Sequence, residues 1–336
     1  MSARKLNNLK ISVLDLAGVT EGHTPTDTFR NSLDLAKHVE KWGYTRYWLA
    51  EHHNMESVAS SATSVLIGYI AGGTSTLRVG SGGIMLPNHA PLIVAEQFGT
   101  LATLYPDRID LGLGRAPGTD QITAMAIRGQ RMGMENDFLE DILELQTYFN
   151  KENRTSRVRA IPGEGLDIPI WILGSSLDSA RLAGLLGLPY AFASHFAPAQ
   201  FLAAITLYRQ SFKASKHLQN PCIIACVNVV AADSNAQAQK LATSMQRLFL
   251  GIVTGKRKLL QPPIESMADQ WTDYEEAAVS QMLSCSFIGD SQKIKNEMEL
   301  FIGQTQVDEI MVTSHIYDHQ ARLRSYEIFA HLMQGE

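Results

Sequence analysis

The sequence is poor in cysteine and in blocks of like charge. Its 336 residues include three cysteines, Cys222, Cys226 and Cys285, which are too few and too irregularly spaced for a disulfide framework. Lys and Arg number 29 against 34 Asp and Glu, and the one basic cluster, residues 256–258, is short. Neither nucleic acid nor a membrane surface is therefore an expected partner.

Long apolar runs are also missing. No stretch reaches the 18 or so apolar residues of a transmembrane helix, and the amino-terminal "MSARKLNNLKISVLDL" has no signal-peptide core followed by a cleavage site. With 45% hydrophobic and 19% charged residues, the composition is typical of a globular protein with a large core. We expect a soluble protein of the reducing cytoplasm.

Apolar runs of strand length alternate with helical segments eight times along the chain, an alternation that predicts βα units around a parallel sheet. The strand candidates are "ISVLDLAG", "TRYWLAEHH", "LRVGSGGIML", "RIDLGLGR", "IPIWILGSS", "PYAFASHF", "CIIACVNVV" and "VDEIMVTSHI". The helices are expected over residues 26–42, 60–71, 91–104, 137–149, 178–186, 198–212, 234–249 and 319–333. Eight such units predict a single (β/α)8 TIM barrel domain over residues 1–336; an open doubly wound sheet would need fewer units or a second domain.

Two segments lie outside this repeat. The first covers residues 116–136. The second, residues 250–305, is an insertion between the seventh and eighth strands and contains a helix expected over residues 291–302. Long insertions in compact barrels are often functional, so the second segment is a candidate lid.

Polar residues follow the apolar runs at the strand ends, where a barrel of this kind carries its active site. They are Asp15, Glu51, His52, His53, Gly82, Gly83, Arg115, Ser175, Ser176, Ser194, His195, Asn228, Ser314 and His315. Any one of these histidines could be structural, but together they predict a site. Metal binding is not expected, because neighbours such as His52 and His53 point to opposite faces of a strand. His315 and His319 are spaced like a helical metal pair but span the end of a strand and the start of a helix.

Three glycine- or serine-rich stretches suggest how a ligand could be held. "WILGSSLDSA" places hydroxyls at a helix start, which is typical of an anion site or of an ordinary N-cap. Arg115 could grip a phosphate or form a structural ion pair. Gly82 and Gly83 could admit a flat ring against the barrel wall, or reflect tight packing.

These stretches resemble the bacterial luciferase-like, flavin-dependent monooxygenases. The resemblance is carried by "YWLAEHHN", "VGSGGIMLPNHAPLIVAEQFGTLATLYPDRIDLGLGRAPGTD", "PIWILGSSLDSARLAGLLGLPYAFASHF" and "VDEIMVTSHIYDHQARLRSYE", and it covers the chain from about Ile11 to Glu327. It is similar to the uncharacterised single-component branch of the family.

The resemblance implies a barrel that holds reduced FMN, supplied by a separate reductase, and uses O2 to oxidise a small organic substrate through a flavin hydroperoxide. His52 and His53 match the paired catalytic histidines. The peptide between Gly82 and Gly83 matches a position where the family often has a non-proline cis bond under the flavin ring. The implied cofactor-binding residues are Asp15, Gly82, Gly83, Arg115, Gly174, Ser175, Ser176, Ser179, Ser194 and His195.

The sequence departs from luciferase itself at two positions. Gly114 stands where a reactive cysteine can precede the phosphate-side arginine, and Ser175 stands where luciferase has a carboxylate, so light emission is not implied.

Histidine, with a reference pKa of about 6.5, would exchange protons near neutral pH. Two alternatives stay open: a deazaflavin-dependent hydride-transfer enzyme and a flavin-binding protein without turnover. A homodimer through the helix at residues 60–71 is expected from the family.

Overall fold

The computed structural model describes residues 6–129 and 138–335. Its strands are β1 (Lys10–Asp15), β2 (Arg46–Leu49), β3 (Arg78–Ser81), β4 (Ile84–Met85), β5 (Ile109–Gly114), β6 (Ile170–Gly174), β7 (Tyr190–Phe192), β8 (Ile223–Ala231), β9 (Ser286–Gly289) and β10 (Glu309–Thr313). Its helices are α1 (Pro25–Lys41), α2 (Thr63–Gly72), α3 (Pro91–Leu104), α4 (Gln121–Arg128), α5 (Phe138–Phe149), α6 (Leu177–Leu186), α7 (Phe201–Ser211), α8 (Asn235–Val253), α9 (Asp273–Met282), α10 (Ser291–Thr305) and α11 (His319–Gln334).

Eight parallel strands close into a barrel, as the sequence predicts. The barrel runs β1, β2, β3, β5, β6, β7, β8 and β10, each pairing with the next. Closure is made by β10, which pairs with β8 through Glu309 and Ile224 and with β1 through Glu309 and Lys10. The chain is thus a (β/α)8 TIM barrel, whose strand ends converge on one mouth.

The strands are covered on both faces, which explains their continuous apolar runs. All six residues of β5 and all nine of β8 are buried. Residues such as Val13 and Tyr47 pack in the large cluster that contains the helices, whereas their neighbours Leu14 and Trp48 join a small cluster with Trp171. Since alternate strand residues point to opposite faces, the small cluster fills the barrel interior.

The amino-terminal end of the barrel interior is closed by a buried ion-pair network. Arg46 donates from Nη1 to Asp110 Oδ2 at 2.7 Å and from Nε to Glu309 Oε1 at 2.7 Å. Its guanidinium also lies 4.8 Å from the centre of the Trp171 ring. These contacts make that end of the barrel a packed floor.

Several boundaries differ from the sequence expectation. The second helix begins at Thr63 rather than residue 60, because Thr63 Oγ1 bonds back to the carbonyls of Ala50 and Ser60 and holds the preceding residues in a turn. The third strand is divided into β3 and β4, with a cis peptide between Gly82 and Gly83. Residue 137, the expected start of the fourth helix, lies outside the described residues, and α5 begins at Phe138.

Both segments outside the repeat contain regular structure. Residues 116–136 include α4, whose start is capped by Asp120 accepting from Thr123 N at 3.0 Å. The 250–305 segment begins inside α8 and continues through α9, β9 and α10. Because β9 pairs in parallel with the second half of β8, through Asn228 and Ser286, part of this insertion extends the sheet.

Another part of the insertion contacts the connection between β1 and α1. Between α8 and α9, Leu260 N donates to the carbonyl of Val19 at 3.0 Å, and Glu21 N donates to the carbonyl of Leu260 at 2.8 Å. These bonds hold the segment against the loop that follows β1. In residues 6–129 and 138–335, no helix is both long and apolar enough to cross a membrane.

Candidate active site

Three imidazoles meet at the carboxyl-terminal mouth of the barrel. His52 follows β2, His195 follows β7 and His315 follows β10. Burial is the main cause that lowers the pKa of His195 to about 3, and the nearby charges of His315 and His52 lower it further. Distant parts of the chain therefore converge on one centre, whose imidazoles are neutral at physiological pH.

Two buried polar atoms at this centre have no hydrogen-bond partner among the described residues. They are His195 Nδ1 and Asn228 Oδ1. Asn228 is held by its amide nitrogen, which donates to the carbonyl of His195 at 2.6 Å and to Ser286 Oγ at 3.1 Å. Buried polar atoms are normally paired, so these two are candidates for contact with a bound molecule.

The adjacent His52 and His53 engage different partners. His52 Nδ1 lies 3.3 Å from the carbonyl oxygen of Gly118, whereas His53 Nε2 lies 2.8 Å from Glu51 Oε1. A carbonyl and a carboxylate can only accept, so these are the ring nitrogens that carry the proton. Burial is the largest of the effects that lower the pKa of His52, which favours its neutral form.

Glu51 joins His53 to a second histidine, His89. Its Oε1 accepts from His89 Nε2 at 2.8 Å as well as from His53, and its Oε2 accepts from Met85 N at 3.0 Å. Burial alone would raise the pKa of Glu51, but the His89 hydrogen bond and charge, with the bonds from His53 and Met85, outweigh it and lower the pKa. Glu51 is thus a buried carboxylate between two imidazoles.

The wall beside these residues has no room for side chains at Gly82 and Gly83. A Cβ at Gly83 would lie 2.7 Å from the carbonyl oxygen of Gly112, and one at Gly82 would lie 2.6 Å from Leu14 Cδ1. The peptide between the two glycines is cis, as the resemblance implies. The backbone itself therefore forms this part of the wall.

A hydroxyl-lined turn leads from β6 into α6. Ser176 caps the helix by accepting from Ser179 N at 3.4 Å, and Ser179 Oγ donates to the carbonyl of Ser176 at 2.8 Å and lies 3.0 Å from Tyr190 Oη. A Cβ at Gly174 would lie 2.2 Å from Ser179 Oγ, so a glycine is required here. The helix start and its hydroxyls have the chemistry of an anion site.

Arg115 reaches the same helix start from the end of β5. Its Nη2 lies 3.6 Å from Asp178 Oδ2, and both side chains are exposed. An exposed pair at this distance holds the guanidinium weakly. Arg115 thus lies at the start of α6, where it can turn towards an anion bound at the serine-rich turn.

Two residues of the predicted site have their side chains engaged within the protein. Asp15 accepts from Ser32 Oγ at 2.6 Å, Arg322 Nη2 at 2.9 Å, Ala17 N at 3.0 Å and the Tyr47 hydroxyl. Ser194 Oγ donates to the carbonyl of Cys226 at 2.6 Å. Their roles in cofactor binding stay predictions, and the structure gives both a clear part in holding the strand ends.

Sequence reasoning missed His89, Tyr190 and Arg322. His89 follows the third strand in "LPNHAP", so its position after a strand end was a usable signal. Tyr190 begins a strand and Arg322 lies within a helix, and neither has a local pattern that marks it. No cluster of metal-binding side chains occurs in the part of the chain that the structure describes.

Enzymes built on the (β/α)8 barrel carry their active sites at this mouth. The fold and the convergent imidazoles are therefore those of a (β/α)8-barrel enzyme. Residues 9–304 match the family model of luciferase-like monooxygenases. A relative from Escherichia coli K12, named luciferase-like monooxygenase, is 53% identical over 320 residues, covering 95% of this chain and 96% of its own. The chain belongs to the luciferase-like monooxygenase family.

Solved structures agree with the fold. Apo-MsnO8 superposes with a TM-score of 0.86 at 32% identity, covering 96% of this chain and 98% of its own. The oxygenating constituent of 3,6-diketocamphane monooxygenase from Pseudomonas putida, solved with FMN, gives 0.74 at 16% identity and coverages of 97% and 98%. An F420-dependent secondary alcohol dehydrogenase gives 0.65 at 13%, with coverages of 95% and 97%. At such low identity the last two show the fold alone, and their cofactors are FMN and F420.

Proposed function

We propose that this protein is a monooxygenase that uses reduced FMN and O2 to oxidise a small organic substrate. One observation carries the proposal: a hydroxyl-lined helix start with the chemistry of an anion site shares the barrel mouth with buried polar atoms that have no partner among the described residues. FMN has a phosphate at one end and a flat ring with hydrogen-bonding edges at the other. The two parts of the site suit the two ends of this cofactor.

The residues fit FMN at each end. Ser175, Ser176, Ser179 and the Arg115 guanidinium would hold the phosphate. The ring would lie against the backbone of Gly82 and Gly83, where side chains are excluded. Its polar edge, which carries donors and acceptors, suits His195 Nδ1 and Asn228 Oδ1.

Bound reduced FMN supplies the electrons that activate O2 for insertion of one oxygen atom into the substrate. The histidines of this chain would manage the accompanying protons. Because Glu51 holds the Nε2 proton of His53, Nδ1 of that ring is free to accept a proton and return it. His52, kept neutral by burial, offers Nε2 in the same way.

The segment between α8 and α9 would act as the lid predicted within residues 250–305. The backbone N–H of Leu260 donates to Val19, and its carbonyl accepts from Glu21, in the loop after β1. A cover at this position would keep water from the oxygen chemistry, as lids commonly do.

FMN fits better than a deazaflavin of the F420 type. Arg115 pairs with Asp178 at the start of α6, and one guanidinium suits a single phosphate. The longer acidic tail of a deazaflavin would need more positive charge at this edge. A hydride-transfer enzyme with that cofactor is the second candidate, since one structural neighbour uses F420, and a flavin-binding protein without turnover is the third.

The enzyme would work in the cytoplasm, where its free cysteines stay reduced, and a separate flavin reductase would supply reduced FMN. It would form a homodimer through α2 and α3, whose Val65, Tyr69, Ile93 and Leu104 are exposed apolar side chains. Sedimentation at increasing protein concentration tests the dimer.

Titration of the purified protein with FMN, reduced FMN and a deazaflavin, followed by oxygen uptake with the tightest binder, tests the function. We expect the tightest binding with reduced FMN, and oxygen uptake that rises when an oxidisable substrate is added. Tighter binding of the deazaflavin, without oxygen uptake, would favour hydride transfer. FMN binding without substrate-dependent uptake over aldehydes, sulfonates and terpenes would favour the non-catalytic alternative.

A further inference from the structure

A small cavity lies beside the histidine cluster, between the loop after β1 and the start of α11. Its volume is about 70 Å³, and its lining includes Asp15, Leu260, His315, His319 and Arg322. One water needs about 10–15 Å³ of such space, so the cavity has room for a small chemical group. Because His315 lies both here and close to His195, the cavity adjoins the mouth.

Two side chains of this cavity have buried atoms without a partner in the described residues. They are Arg322 Nε and His319 Nδ1. The two residues are three apart on α11, so they lie on the same face of the helix, one turn from each other. Buried polar atoms are rarely left unpaired, so these two side chains of the cavity lining are candidates to bind one ligand group.

The two atoms have opposite hydrogen-bonding roles. Arg322 Nε carries a hydrogen and can only donate. His319 Nε2 lies 2.8 Å from Asp34 Oδ2, and a carboxylate accepts, so Nε2 carries the proton. Burial is the main cause that lowers the pKa of His319, which keeps the ring neutral, and Nδ1 is therefore an acceptor.

The cavity does not offer uncompensated positive charge. Arg322 Nη2 is paired with Asp15 Oδ1 at 2.9 Å. Burial alone would raise the pKa of Asp15, but the charge of Arg322 and the hydrogen bonds from Ser32, Tyr47 and Arg322 outweigh it and lower the pKa. The guanidinium thus faces an ionised carboxylate. A second anion would compete with Asp15, so a neutral group is the better match for this cavity.

We propose that the cavity is a substrate subsite that recognises an amide group, an inference that rests on the proposed oxygenase function. The amide carbonyl accepts from Arg322 Nε, and the amide N–H donates to His319 Nδ1. The remainder of the substrate extends past His315 to the mouth. An ester of the same shape loses the second bond and leaves His319 Nδ1 unpaired.

Three matched probes test this subsite without turnover: N-butylacetamide, butyl acetate and hexanoate, titrated into the full-length protein by ligand-observed NMR. We expect the amide to bind about tenfold more tightly than the ester, since the ester leaves a buried acceptor unpaired. His319→Phe should bring this ratio close to one. His331→Phe, the same substitution at the far end of α11, should leave it unchanged.

Equal binding of amide and ester to the wild-type protein, tighter binding of hexanoate, or no binding of any probe at millimolar concentration overturns the proposal. The wild-type comparison decides this even if a variant fails to fold. FMN titration of the same samples separates the two proposals. Discrimination between amide and ester without FMN binding would contradict the oxygenase function and support the subsite. FMN binding without this discrimination would contradict the subsite alone.

Discussion

At the mouth, the hydrogen bonds of each histidine determine which of its ring nitrogens can contact a bound molecule. His52 and His53 are neighbours, yet one is held by the carbonyl of Gly118 and the other by Glu51. Each contact fixes the proton on one ring nitrogen and leaves the other nitrogen available. The pair therefore presents two imidazoles with assigned roles.

If Arg115 binds the phosphate of FMN, its replacement should affect binding of the phosphate but not of the flavin ring. Arg115→Ala should weaken FMN binding about tenfold, the usual effect of losing one charge-assisted bond, and leave riboflavin binding unchanged because riboflavin has no phosphate. Quenching of flavin fluorescence measures both. Arg154→Ala, at an exposed arginine paired with Glu164, is the control, and an equal loss for FMN and riboflavin would contradict the assignment.

Burial of His195 predicts a loss of stability in acid. Its pKa in the folded protein is about 3, below the reference value of about 6.5, so the unfolded chain takes up the proton first as pH falls. The stabilisation is fully present above pH 6.5 and declines from there towards pH 3.

His195→Gln removes that titration. Between pH 7.5 and 5, urea unfolding should show the variant losing about 1–2 kcal/mol less stability than the wild type. His331→Gln, near the end of α11, should follow the wild type. If the wild type and His195→Gln lose the same amount, His195 is not buried in its neutral form.

At the scale of elements, the turn from β6 into α6 joins packing to binding. Ser179 is placed by bonds to Ser176 and Tyr190, and Gly174 leaves space for it. The sequence "GSSLDSA" predicted a helix start with an anion site or a simple cap. The structure adds Tyr190, because β7 pairs beside β6 and brings its tyrosine to Ser179.

Gly174→Ala should disturb this turn specifically. The new Cβ would lie 2.2 Å from Ser179 Oγ, so the hydroxyl must move, and FMN affinity should fall at least about tenfold. Gly303→Ala, in α10 with nothing within 4 Å of the new Cβ, should keep FMN affinity and raise stability by about 0.5–1 kcal/mol. Unchanged FMN affinity in Gly174→Ala would contradict the phosphate site.

Helices and strands with strong periodic patterns were predictable, and elements that depend on distant partners were not. The buried runs of β5 and β8 stand out in the sequence. The pairing of β9 with β8 does not, since "SFIG" is short and its partner lies more than fifty residues away. The start of α2 was missed because Thr63 bonds to Ala50 across the chain.

At the scale of the whole molecule, closure of the barrel places the first and last elements against each other. Asp15 at the end of β1 pairs with Arg322 of α11, although 307 positions separate them in the sequence. The position of Asp15 after the first strand predicted that it lies at the mouth, but its partner could not be identified. Arg322 lies in the last helix, which comes next to β1 only because the barrel closes between β10 and β1. The same ion pair thus lies at the mouth and joins the first strand to the last helix.

Asp15→Asn should therefore destabilise the whole barrel. It leaves the buried Arg322 guanidinium without its counter-charge, and the expected cost is about 3–5 kcal/mol, measured by urea unfolding at pH 7. Glu265→Gln, which breaks an exposed pair with Lys240, should cost less than about 1 kcal/mol. A comparably small cost for Asp15→Asn would show that closure does not depend on this pair.

A crystal structure of the protein with FMN bound tests the central claim most directly. The account predicts the phosphate beside Ser176, Ser179 and Arg115, and the ring against Gly82 and Gly83 with its polar edge at His195 and Asn228. A phosphate bound away from the start of α6, or a ring outside the mouth that His52 and His195 share, would contradict it.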